Sequence, residues 1–336
     1  MATTTTPHMH MWLRRTFKAT AMKVPYAQHN AHVKRIHMSS FLAFSYKSLG
    51  ASDANLPRVY VDLGDNMDVV VGDDDDASGQ ASRLTSGLQG GAFSVASYAV
   101  GAAVPISRDA TKHLRALRIR QGDPFDICDG LGNVATCTLM HDDSANNKRR
   151  QQDTLAIVQQ APRHEPPPTP AWTLAVACGS LKGGRADWLV EKTAELGAAT
   201  FAPVTCHRSS NVYDGRITRW KRLARAASEQ SLRAHSLNFS DQPLDVRDLA
   251  ALASSGKPVL VAAAGGERAV DIFRDEKYGG ASEGVLVVGP EGDFTPDELN
   301  LLLQSGAQAV GLGPSRLRVE SAAVALLSVA RVFAMS

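Results

Sequence analysis

The stretches VGPEGDF (288–294) and LGPSRLRVESA (312–322) decide how this chain is read. Each follows an apolar strand-like run, 284–288 and 309–312, and each leads into a helix-like one, 296–305 and 319–333. Upstream the same alternation repeats. Strands are predicted at 172–178, 200–204 and 258–263, and helices at 186–196, 217–233 and 246–253. Strands apolar on both faces that alternate with helices predict an α/β fold around a mainly parallel sheet. Ligands of such sheets sit at the carboxyl ends of the strands, where both quoted loops lie.

The chemistry of the two loops differs. In the first, Gly289 and Gly292 permit close backbone approach to a ligand, and Pro290 stiffens the turn. Its free backbone N–H and C=O groups suit an adenine edge or a ribose, although a plain strand-to-helix turn capped by Thr295 competes with that reading. The second loop opens a helix whose sequence AAVALLSVARVF (322–333) is apolar nearly all round, so it is buried in its own domain or against a partner subunit. Glu320 suits the positive end of that helix. Arg316 and Arg318 do not, and are expected to serve something negative, RNA phosphate or a developing anion.

Two further basic clusters stand out. SLKGGR (180–185) opens the helix at 186 but matches neither a P-loop nor a dinucleotide fingerprint. Lys182 and Arg185 are phosphate-contact candidates there, with surface charges on a turn as the plain alternative. In RITRWKRLARAASEQSLR (216–233), Arg216, Arg219, Arg222 and Arg225 recur every third residue opposite Ile217, Trp220, Leu223 and Ala227. That basic stripe is an RNA footprint or an ordinary solvated face.

The front half reads differently. RVYVD (58–62) predicts a first strand. Residues 63–92 include the run Asp73 to Asp76, with many Gly and Ser and few large apolar side chains, and predict a flexible insert. DATKHLRALRI (109–119) predicts a short helix, capped by Ser107 or Asp109, passing into a strand. Runs at 125–128 and 134–140 about the turn DGLG (129–132) predict a hairpin, and 154–158 a third strand across the polar loop 142–152. A compact antiparallel barrel over 57–161 is the expected result. PRHEPPPTP (162–170) holds five prolines and predicts a stiff linker that cannot enter a sheet or helix, placing a domain boundary before 171–336.

Residues 1–52 contain no Asp or Glu, seven Lys or Arg and eleven Ser or Thr, which predicts an organellar transit peptide or, alternatively, a basic arm that touches nucleic acid. The Thr run after Met1-Ala2 tilts the reading toward the plastid over the mitochondrion. Removing those seven charges takes the formal net charge from +2 to −5, so RNA binding has to rest on local patches. The four cysteines are scattered without a C-x-x-C pair, giving no zinc or disulfide framework, and no apolar run approaches the roughly 20 residues of a membrane span.

Five segments in order, HLRALRIRQGD (113–123), KGGRADWLVEKTAELG (182–197), RWKRLARAASEQSLR (219–233), VGPEGDFTPDEL (288–299) and LGPSRLRVESAAVALL (312–327), resemble the ribosomal RNA small subunit methyltransferase E family of knotted SPOUT enzymes. The resemblance implies a PUA-like RNA-binding barrel followed by a trefoil-knot domain. It also implies a homodimer and S-adenosylmethionine-dependent methylation of uridine N3 in small-subunit ribosomal RNA. It carries cofactor contacts to Gly289, Glu291, Gly292, Leu312, Gly313, Leu317 and Arg318, with Glu320 and Ser321 following. Uracil N3 must lose a proton to attack, and Arg318, Arg233, Glu320 and Glu229 have the chemistry to assist. His113, Arg115, Arg118, Lys182, Arg185, Arg219 and Arg222 are the expected RNA contacts. Two alternatives stay open: a non-catalytic RNA-binding or ribosome-assembly protein, and the same chemistry at another RNA site. One departure is the glycine-rich run 264–267 after the strand at 258–263, where the family leads one to expect fewer glycines.

Overall fold

The computed structural model describes residues 56–61, 94–140, 154–179, 181–182, 184–209 and 216–333. The predicted transit peptide, acidic insert and polar loop 142–152 lie outside the described residues.

The front domain is one mixed six-stranded sheet. Its path runs β1 (Arg58–Tyr60), β3 (Pro124–Cys128), β4 (Asn133–Leu139), β5 (Thr154–Val158) and β2 (Ala103–Ile106), with β6 (Arg163–His164) added on β4. The β1–β3 pair is parallel and the others are antiparallel. Helix α1 (Arg108–Ala116) is capped by the Ser107 hydroxyl, which accepts from the Ala110 amide at 3.2 Å, and buries Leu114 among Val59, Ile106, Phe125 and Ile127. The helix does not pass into a strand. Arg118 turns left-handed at φ 60°, and the Ile119 amide returns to the Leu114 carbonyl at 3.0 Å. The proline-rich linker is corrected too, because Arg163–His164 pairs with Asn133–Val134 and the Glu165 amide reaches the Gly132 carbonyl at 2.8 Å. A sheet edge tolerates proline beside it, where the missing N–H faces away from the ladder.

The second domain is the expected α/β layer structure. Seven parallel strands run in the path β10 (Leu244–Asp245), β8 (Thr200–Thr205), β7 (Ala171–Val176), β12 (Glu283–Val288), β11 (Val259–Arg268) and β13 (Gln308–Gly311), with β9 (Asn238–Phe239) on β8. Alternate strand residues feed two cores. Leu174, Val176, Leu286 and Val288 meet α2 (Arg185–Glu195), α3 (Ile217–Gln230), α5 (Ala269–Ile272), α6 (Glu276–Gly279) and α8 (Val319–Phe333). Ala175, Ala177, Val285 and Val287 meet α4 (Val246–Ser254) and α7 (Pro296–Gln304).

Strand β11 runs farther than its apolar residues predict. It pairs with β13 through Ala262↔Val310, breaks register, and pairs again through Glu267↔Val310 and Arg268↔Gly311. The glycine-rich run 264–267 is thereby explained: a Cβ on Gly266 would lie 2.7 Å from the Val310 backbone, a contact only glycine survives.

Thr295 caps α7, the plain-turn alternative raised from the sequence; Glu298 completes a reciprocal capping box, and the His207 amide adds a third contact by donating to Glu298 at 2.8 Å. Thr295→Ala is expected to lower stability by about 1 kcal/mol in urea titration, the usual value of such a cap.

Candidate active site

Three segments lie at the carboxyl ends of parallel strands: the described residues 177–179, 181, 182 and 184 after β7, 289–295 after β12 and 312–318 after the edge strand β13. The last two are joined directly. Arg316 Nη2 donates to the Glu291 carbonyl at 2.7 Å, and the same nitrogen lies 4.0 Å from the Asp293 carboxylate. Arg185, the first residue of α2, ties in the other loop. Its Nε donates to the Lys182 carbonyl at 3.2 Å, Nη2 lies 3.9 Å from Glu291 and Nη1 lies 3.6 Å from Glu320. Arg208, just beyond β8, donates to the Gly292 carbonyl.

The loops are shaped by local backbone constraints. Pro290 is buried while Glu291, Gly292 and Asp293 are exposed, so the turn is anchored at its base and open at its tip. Asp293 takes φ 58°, a conformation most side chains avoid, stabilised by its amide donating to the Pro290 carbonyl at 2.9 Å. Gly313 takes φ 113°, and a Cβ built there would meet nothing within 4 Å. The backbone is therefore both contorted and accessible at that point, which suits a ligand lying against it.

Glu320 is the other unusual feature. It is 8% exposed, yet its Oε2 has no hydrogen-bond partner among the described residues. A buried carboxylate oxygen left unsatisfied is costly, by about 1–3 kcal/mol or more, so this atom is set to receive a donor or a cation. Arg318 is exposed beside it in sequence, with no ion pair to any described residue, and Leu317 is 39% exposed.

The remaining predicted residues separate. Glu229 and Arg233 are not brought to these loops. Glu229 accepts from the Tyr60 amide at 2.9 Å, at the junction with the front domain. Arg233 donates to the Ala194 and Ala198 carbonyls at 2.6 and 3.1 Å, at the C-terminal end of α2. Eleven residues of helix, about 16 Å, separate that end from Arg185. Burial lowers the Arg233 pKa, and two carbonyls occupy its guanidinium. The basic stripe of α3 also divides. Arg219 bonds Asp187 at 2.7 Å, Arg225 turns over the Tyr60 ring at 5.7 Å, and Arg222 stays exposed. Lys182, Arg115 and Arg118 are exposed and His113 is half-buried. Sequence reasoning missed Arg208, whose position just past a parallel strand was the available signal.

Burial pushes the Cys137 and Cys178 thiols up to about 12 and raises Cys128 as well, so none of these three is a thiolate nucleophile at neutral pH. Among the described residues, no cluster of His, Cys, Asp and Glu is placed to hold a metal ion, and no helix is long and apolar enough to cross a membrane.

With this geometry established, comparison with known proteins is informative. Residues 167–331 match the RNA methyltransferase domain family. A protein of Mycobacterium bovis named ribosomal RNA small subunit methyltransferase E is 31% identical over 237 residues, covering 68% of this chain and 85% of that protein. The Bacillus subtilis protein of the same name is 26% identical over 232 residues, covering 66% and 87%. In three dimensions the chain resembles ribosomal RNA small subunit methyltransferase E of Neisseria gonorrhoeae, solved bound to S-adenosyl methionine, with TM-score 0.57 and 22% identity over 82% of this chain and 96% of that one.

Proposed function

The chain belongs to the ribosomal RNA small subunit methyltransferase E family, and from that premise we propose that it methylates N3 of a uridine in the small-subunit ribosomal RNA of an organelle. S-adenosylmethionine supplies an already activated methyl group, so the protein has to orient it and exclude water. The observation that carries this reading is the joining of loop 289–295 to loop 312–318 by Arg316, and to the first turn of α8 by Arg185.

The residues present fit the cofactor. Gly289, Glu291 and Gly292 of one loop, and Leu312, Gly313, Leu317 and Arg318 of the other, offer backbone polar groups and an open face at Gly313. The unpartnered Glu320 oxygen suits a cationic or N–H-bearing group of the same ligand. Uracil N3 must give up its proton, and the resulting imide anion needs a positive neighbour. Arg318 is exposed with no ion pair to a described residue, whereas Arg233 is held by two carbonyls at the far end of α2, so Arg318 takes that role.

The front sheet is read as a PUA-like RNA-binding barrel, with Arg115, Arg118 and His113 on and just past α1 facing the RNA. Membership of the family is what supports a knotted chain path, and the half-buried apolar face of α8 supports a homodimer. The acid-free, hydroxylated N-terminus supports import, the plastid being favoured over the mitochondrion.

Mass spectrometry of chloroplast and mitochondrial small-subunit ribosomal RNA, from cells with and without the protein, tests the reading. The expected result is one N3-methyluridine that disappears with the protein. An unchanged methylation pattern in both organelles would reject it.

A further inference from the structure

We propose that Arg185 is a positioning residue that ties the start of α2 to loop 289–295 and to the first turn of α8 at the cofactor site, and that it does not contact RNA phosphate. The inference rests on the reading above, that these loops hold S-adenosylmethionine. It begins with an anomaly. An arginine at the first position of a helix faces the positive end of the helix dipole, and Gly184 before it offers no side-chain cap. Arg185 is therefore poorly placed for α2 alone.

Its partners account for it. The planar fork sends each of its three nitrogens to a different segment: Nε to the Lys182 carbonyl at 3.2 Å, Nη2 toward Glu291 of loop 289–295 at 3.9 Å and Nη1 toward Glu320 in the first turn of α8 at 3.6 Å. Only a guanidinium has that geometry; an ammonium is a single point charge. The side chain is about one-third exposed, and that of Glu320 one-tenth. In such surroundings charge interactions are several-fold stronger than in bulk water.

Prior commitment argues against a phosphate ligand. The three guanidinium nitrogens of Arg185 already face a carbonyl and two carboxylates, which a phosphate would have to displace. Lys182, three residues earlier, is exposed and remains the phosphate candidate of that segment. Arg185 also gives Glu320 its only ion pair among the described residues, and so fixes where the unpartnered Oε2 points.

The two roles separate in binding experiments that need no turnover. Titration calorimetry with S-adenosylhomocysteine measures the pocket; filter binding to small-subunit ribosomal RNA across a salt series measures phosphate contact. For Arg185→Gln the expected result is a loss of S-adenosylhomocysteine affinity of at least about tenfold. RNA affinity and its salt slope stay at the wild-type values. Arg185→Lys, which restores charge but not the fork, should recover only part of the loss and guards against a variant that fails to fold. Unchanged S-adenosylhomocysteine binding with a salt slope shallower by about one would overturn the proposal, since that is the mark of a lost phosphate contact. Equal losses in both assays would overturn it as well. Failure of the wild-type protein to bind S-adenosylhomocysteine would reject the cofactor reading itself, a result distinct from either.

Discussion

Arg318→Ala should slow methyl transfer by about 10²- to 10³-fold, the usual loss when one preorganised donor to a developing anion is removed. Over the same change, S-adenosylhomocysteine affinity should stay within about threefold, because the pocket's backbone contacts and Glu320 are left in place. The asymmetry follows from commitment. Arg316 spends its guanidinium on the Glu291 carbonyl and Arg185 on three segments, whereas Arg318 is exposed with no ion pair to a described residue. A charge that stabilises an imide anion also sets the pH at which that anion forms. The rising limb of the pH–rate profile should therefore move to higher pH in the variant, and Arg318→Lys should return part of the shift. Single-turnover kinetics with saturating cofactor provide the measurement. Losses of equal size in transfer and in cofactor affinity would show that Arg318 serves the pocket and not the chemistry.

Much of the site was legible before any coordinates because it is built from contiguous loops. Gly289 to Gly292 and Gly313 to Arg318 each end a strand and open a helix, and in a parallel sheet such segments share one edge. Thr295, offered by the sequence as the cap of a plain strand-to-helix turn, does cap the helix, and the structure adds Glu298 to complete a capping box. What stayed hidden is long-range. Nothing local to Arg185 tells that its carboxylates come from segments more than a hundred residues away, so its charge was read as a phosphate contact. Arg233 is hidden in the same way: the sequence places it close to Glu229, and only the fold shows that its partners are the carbonyls at the end of α2. The Arg163–His164 pairing was masked by its prolines, whose effect depends on whether the strand is at an edge.

Arg58 was equally invisible, a charged residue in a short predicted strand, and its removal should have the largest effect on stability. It is 5% exposed, next to Asp126 at 0%. Its guanidinium lies 3.5 Å from Asp126, donates to the Leu232 carbonyl at 2.7 Å across the domain junction, and also bonds Glu165. Burial alone would lower the Arg58 pKa, but Glu165, with Asp126 adding to it, reverses that and leaves it raised, so it is charged at any pH the fold survives. Removing one member of such a group leaves the fully buried Asp126 with fewer partners. Arg163 and Thr136 still hold Asp126, at 2.6 and 2.8 Å, but the Leu232 carbonyl loses this donor. Arg58→Met, which keeps the volume and discards the charge, is therefore expected to cost about 3–5 kcal/mol in urea titration. By comparison, Arg219→Ala breaks only a solvated pair with Asp187 and should cost about 1 kcal/mol or less. Because Arg58 spans β1 and the end of α3, the lost stability should appear as a front-domain transition that separates from the main one. A single, nearly unshifted transition for Arg58→Met would mean that the two domains are joined by their apolar contacts alone, and that the buried charges at the junction contribute little.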